Sequence, residues 1–205
     1  MSRIAVCLIV VLAGAACGKD PEADKPPPVT VDGPISGFPK LAKKIEGAQA
    51  AARLLSTRLL AKMQETVSEG GPLIAIDVCR DVAPRIAREV GDETGFRIGR
   101  TSHRLRNPEN RPPAWAADVV KKIARGDPEA GREPRVFVRT DGVEGITLPI
   151  TMQKMCVTCH GTEEQIPAKV RELLAEHYPE DRAREFRPGD LRGLVWVEWR
   201  GKKKR

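Results

Sequence analysis

Two hydrophobic periods run along this 205-residue chain. Leu41, Ile45, Ala48, Ala52, Leu55, Leu59 and Met63 recur every three or four places between Lys, Arg and Glu, which predicts an amphipathic helix over residues 38–68. Gly70-Gly71 ends it, and Pro72 suits the first position of a second helix. That helix reaches to about Val90, with the apolar stripe Ile76, Cys79, Ala83, Ile86 and Val90. Pro84 falls inside it, so a kink or break is expected after Ala83. Further on, the pattern predicts a strand at 96–101 and a loop rich in Arg, Asn and Pro at 102–113. A helix over 115–124 carries Trp115, Val119, Val120 and Ile123. Strands follow at 135–139 and 145–151, joined by an Asp141-Gly142 turn, then a helix at 163–177 and a strand at 194–199. Internal repeats are absent. Helices first, then antiparallel strands with inserted helices, describe an α+β fold with a long N-terminal helix and a small antiparallel sheet.

The N-terminus stands apart from this pattern. Met1-Ser2-Arg3 precedes an uncharged run over residues 4–16, the form of a secretory signal and too short to span a bilayer with ease. Cys17 follows Gly14-Ala15-Ala16, which resembles a bacterial lipoprotein box, although Gly14 stands where such boxes usually have Leu. Residues 1–16 therefore read as a signal peptide of lipoprotein type, with Cys17 the expected lipid attachment point. Residues 17–37, with Pro26-Pro27-Pro28, form a tether, residues 38–199 the domain, and residues 200–205 a basic tail. The expected location is the periplasm, on an outer-membrane lipid anchor.

Composition narrows the classes. With 40% hydrophobic and 31% charged residues, the chain holds one ordinary core and is neither disordered throughout nor a polytopic membrane protein. The formal charge is +7, and the terminal Arg200, Lys202, Lys203, Lys204 and Arg205 read as a solvated tail. No basic patch interleaved with aromatics suggests nucleic acid. Aromatics are only 4%, and the five cysteines are an odd number. Cys7 leaves with the signal and Cys17 is assigned to lipid, which leaves Cys79, Cys156 and Cys159 for the domain.

Cys156-Val157-Thr158-Cys159-His160 supplies the chemistry. C-x-x-C-H is the attachment site of c-type haem: two cysteines on one helical turn reach the vinyl groups, and the adjacent histidine turns its imidazole to the iron. This composition yields the pattern by chance roughly two times in a thousand chains. A thioredoxin-like dithiol is the main competitor, and a zinc site fits poorly because Cys159 and His160 are adjacent. The expected cofactor is one covalent haem c, with Cys156, Cys159 and His160 binding it and His160 as an iron ligand. For the sixth position, no Met follows Cys159. Met152 and Met155 are close to the attachment point, Met63 reads as core, and His177 reads as surface. His103 and Cys79 remain, and Cys79 is equally well a small buried hydrophobe.

Three stretches besides the motif are familiar: residues 75–87 (AIDVCRDVAPRIA), 98–108 (IGRTSHRLRNP) and Gly189-Asp190-Leu191-Arg192-Gly193. With the motif they resemble, in the same order, a bacterial family of exported c-type haem proteins built on a PAS-like domain, a domain of unknown function. The resemblance covers about residues 40–199. It implies a PAS-like antiparallel sheet flanked by helices, and haem ligated by His160 and by a cysteine that matches Cys79. Redox sensing and electron transfer are both implied roles. No output domain follows in this chain, which favours a stand-alone carrier or a sensor acting through a separate redox partner. Arg100, Arg104, Arg106 and Arg111 are candidates for the haem propionates, with a plain surface loop as the alternative. Leu105 and Trp115 are expected in the core or against the porphyrin. No distal acid–base pair is visible, so an enzyme of peroxidase type is the alternative to a redox module, and a haem-free thiol-disulfide oxidoreductase a third. The scarcity of aromatics suggests that a porphyrin fills part of the core.

Overall fold

The stripe that begins at Leu41 buries itself as expected. The computed structural model describes residues 29–30, 39–127, 129–138 and 143–200. Helix α1 (Pro39–Asp77) turns Ile45, Ala48, Ala52, Leu55 and Leu59 into the core. It is kinked at Gly71, whose φ of 76° and ψ of −178° belong to a region that essentially only glycine visits, and Pro72 restarts the helix. The expected break near Pro84 takes a particular form. Proline has no N–H for the carbonyl of Arg80, which an α-helix would require. The chain widens into one π turn over Val78–Val82, in which the Ala83 N–H donates to the Val78 carbonyl. Helix α2 (Ala83–Thr94) then resumes with Pro84 in its first turn, and it buries Ala83, Ile86 and Val90.

Five antiparallel strands make one sheet: β1 (Val29–Thr30), β2 (Arg97–Thr101), β3 (Arg135–Val138), β4 (Val143–Thr151) and β5 (Leu191–Arg200), in the order β1-β3-β4-β5-β2. Strand alternation sorts the two faces. On β5, Val195, Val197 and Trp199 pack with Val136 and Ile146 against α1 and α2. Leu194 and Trp196 join Phe137 on the opposite face, under Trp115, Val119 and Val120 at helix α3 (Ala117–Ala124). Buried Glu198 lies among them, with its carboxylate satisfied by Trp115 Nε1 at 2.8 Å and by Arg97 at 2.5 Å. The α+β, PAS-like sheet flanked by helices with a long N-terminal helix is thus the architecture observed.

Some boundaries move. Trp115 lies in a separate 3-10 turn (Ala114–Ala116) rather than in α3. Pro167 precedes helix α5 (Ala168–His177), so the helix expected from residue 163 starts five residues later. Strands β4 and β5 are longer than expected because each pairs along most of the other, with an irregularity between Ile150 and Thr151. The signal segment, Cys17, most of the tether, the Asp141-Gly142 turn and residues 201–205 lie outside the described residues. Among the described residues, no helix is long and apolar enough to cross a membrane.

Candidate functional site

A cavity of about 500 Å³ opens between the kinked part of α1, the ends of β2, β4 and β5, and the segment that follows β4. Its volume lies in the range of small-molecule and cofactor sites, about 300–1,000 Å³. Cys79, Cys156, Cys159 and His160 all line it, so the structure brings all four expected site residues of the domain to one place. Cys79 comes from the π turn, the kind of helical irregularity often found at functional sites. The motif begins at the end of a 3-10 turn (Lys154–Cys156) and continues through the single turn of helix α4 (Val157–His160).

The belt formed by residues 178–190 holds this turn in place. Phe186 and Glu185 donate their N–H groups to the carbonyls of His160 and Gly161, each at 2.9 Å. His160 Nδ1 lies 2.7 Å from the Ala183 carbonyl, so Nδ1 carries the proton and Nε2 keeps its lone pair. Burial, with Arg106 and Arg192 nearby, holds His160 well below the usual histidine range and therefore neutral. A neutral imidazole with its second nitrogen anchored to a carbonyl is the form that ligates metals.

Arg106 braces the motif from below. It pairs with Asp181 at 3.2 Å, with the two side chains 8% and 1% exposed, and it donates to the carbonyls of Cys159 at 2.5 Å and Ala183 at 3.3 Å. Burial raises the Cys159 thiol to about 11, with Cys79, Cys156 and Asp181 adding to the rise and Arg106 opposing it. The motif follows a strand, as a thioredoxin-like pair would, and burial keeps its second cysteine protonated. Among the described residues, no three His, Cys, Asp or Glu side chains converge on a point where they could hold one metal ion. The four site residues surround a larger space instead.

Of the four loop arginines, only Arg100 and Arg106 line the cavity. Arg104 lies over the Phe186 ring and donates to the Arg184 carbonyl, and Arg111 is exposed. Arg106 is already committed to Asp181. Sequence reasoning missed Arg192, which shares the cavity wall with Arg100. Burial pulls Arg192 down to about 10, with Arg106 and Arg100 adding to the fall, and burial lowers Arg100 as well. Among the described residues, no carboxylate lines the cavity. Asp181 acts on Arg192 from outside the cavity, and two desolvated cations on one wall suit a ligand that carries negative charge. Arg192 sits inside the Gly189–Gly193 stretch that carried the resemblance, which was the available signal. Tyr178, the single tyrosine, also lines the cavity, and burial raises its hydroxyl to about 12. Among the described aromatics it alone does so. Leu105 lines the cavity, whereas Trp115 is in the core.

The other ligand candidates separate clearly. His177 sits beside Arg80, with Nδ1 2.8 Å from the guanidinium, and His103 lines a second cavity behind Phe186. Met152 is buried on the motif side with Ala183 and Phe186. Met63, expected in the core, instead lines the cavity, and its Sδ lies 3.6 Å from the Cys79 Sγ.

An antiparallel sheet with a cysteine- and histidine-lined cavity at its end, braced by buried arginines, defines the class of protein. The chain belongs to the Tll0287-like family, whose model matches residues 42–199. The crystal structure of the cyanobacterial heme-protein Tll0287 shares the fold, with a TM-score of 0.53 and 23% identity over 82% of this chain and 99% of that one. No curated protein matches the sequence significantly.

Proposed function

We propose that this chain is a periplasmic c-type haem protein that works in redox sensing or electron transfer and not as an enzyme. The observation that carries the reading is the convergence of Cys156, Cys159, His160 and Cys79 on one cavity. Membership of a family that includes a solved heme-protein supports it.

The residues fit the group. Cys156 and Cys159 would hold the porphyrin through thioethers, and His160 Nε2 and the Cys79 sulfur would be the protein ligands of its iron. Arg100 and Arg192 offer positive charge for its two carboxylates. When bound, the haem supplies a one-electron Fe(III)/Fe(II) couple. The belt fixes the imidazole plane through the Ala183 carbonyl. Leu59, Ile76, Leu174 and Val195 give the site apolar walls. A thiolate at Cys79 donates electron density and would hold the potential below that of a His/Met site. Lipid on Cys17 would tether the domain to the outer membrane, beside a protein redox partner.

The test is an absorption spectrum of full-length protein matured in cells able to attach c-type haem. A Soret band that survives denaturation is expected, and its loss in Cys156→Ala/Cys159→Ala. A protein without the band is not a haem protein. A ferric spectrum unchanged in Cys79→Ala would reject the thiolate ligand.

A further inference from the structure

We propose that Met63 is a second, reduction-dependent iron ligand, taking the place of Cys79 in the ferrous protein. The inference deepens the haem reading and rests on it. Its carrying observation is the 3.6 Å contact between Cys79 Sγ and Met63 Sδ on the same cavity wall. The two sulfurs are neighbours, so a metal bound by one has the other at hand, and the three rotatable bonds of methionine let the thioether follow.

Met152, Met155 and Tyr178 also line the cavity, but the sulfur beside Cys79 is that of Met63. Met152 is packed against Ala183 and Phe186. Met155 directly precedes the attachment turn. The His103 ring packs edge-on to Phe186, with centroids 5.7 Å apart, and His177 sits against Arg80. Met63 and Cys79 also come from opposite sides of the Gly71 kink. A small change at that joint shifts one sulfur relative to the other.

The chemistry sets the direction. An anionic thiolate stabilises the ferric ion by charge, and ferrous iron carries one positive charge fewer. A neutral thioether suits the reduced ion and raises the potential of a haem. The step balances as follows. A one-electron reductant, dithionite in the experiment, delivers one electron to the iron. The iron–sulfur bond to Cys79 breaks with both electrons remaining on sulfur, which takes a proton from the buffer. A lone pair on Met63 Sδ forms the new bond.

Full-length, haem-loaded wild type and Met63→Leu are compared, a change that keeps the side-chain volume. In wild type, dithionite should give a six-coordinate, low-spin ferrous spectrum with thioether character. In Met63→Leu the ferric spectrum should be unchanged, the ferrous form five-coordinate and high-spin, and carbon monoxide binding about tenfold or more faster, because no internal ligand competes. A second arm avoids dependence on one variant: ferric Cys79→Ser should show His/Met ligation that disappears in Cys79→Ser/Met63→Leu. Identical ferrous spectra and carbon monoxide rates in wild type and Met63→Leu overturn the proposal while leaving the haem reading intact. Failure of the wild type to carry haem overturns both.

Discussion

His160 owes its chemical form to one acceptor. The Ala183 carbonyl takes the Nδ1 proton, burial keeps the ring neutral, and Nε2 is left to bind. The Arg106–Asp181 pair holds the same turn, since Arg106 also bonds the Cys159 carbonyl. Removing one partner of a buried pair strands the other charge, at a cost of about 3–5 kcal/mol. Asp181→Ala should therefore lose about that much stability in urea denaturation, and Asp181→Leu/Arg106→Met should lose less than the sum of its single changes. His103 makes a pH prediction. Burial, then Arg104 and Arg192, lower it to about 4 from an ordinary 6.5, and its Nδ1 has no partner. The unfolded chain thus takes up the proton first as the pH falls. Stability should be flat above about pH 6.5 and decline from there to about pH 4. His160 acts in the same direction, so His103→Leu should flatten only part of the slope, measured by urea denaturation at successive pH values.

Among the elements, the helical hairpin of α1 and α2 does most to place Cys79. The Gly71 kink and the π turn before Pro84 both interrupt the α-helical ladder, and the cysteine lies in the second interruption. A Cβ at Gly71 would meet nothing within 4 Å, so Gly71→Ala isolates the backbone cost of its conformation, about 1–3 kcal/mol. Gly193 on β5 differs. A Cβ there would stand 2.2 Å from the Thr101 carbonyl, a backbone atom that cannot turn aside. Gly193→Ala should part β2 from β5 beside the cavity. It should slow or prevent haem attachment in cells, read as the haem-to-protein ratio, whereas Gly71→Ala should chiefly lower the urea midpoint.

For the molecule as a whole, the aromatic side chains are concentrated on the faces of the sheet and in the belt. Trp115, Phe137 and Trp199 are buried there, and the cavity has Tyr178 as its one described aromatic. A large apolar group in that space would add the contacts its walls lack. Cys156→Ala/Cys159→Ala, which cannot attach haem, should melt at a clearly lower temperature than the loaded protein and lose near-ultraviolet dichroism first. Equal melting temperatures would show that the fold is complete without a ligand.

The sequence by itself determined the elements whose cause is local. The three-four spacing from Leu41 to Leu59 dictated α1, the Gly70-Gly71-Pro72 run its kink, and the alternation along β5 the two faces of the sheet. It also singled out Cys156, Cys159 and His160 as one group, because a three-residue spacing on one helical turn is itself a geometry. Resemblance, not spacing, singled out Cys79. Tertiary structure alone decided which distant groups share the cavity. Met63 lies 16 residues from Cys79, and Arg192 lies far along the chain from Arg100. Arg104 and Arg106 are near neighbours in one loop, yet only Arg106 lines the cavity. Periodicity reports which face of an element is buried, not what packs against it. Pairing of remote groups depends on how elements cross, and on desolvation that no local pattern records.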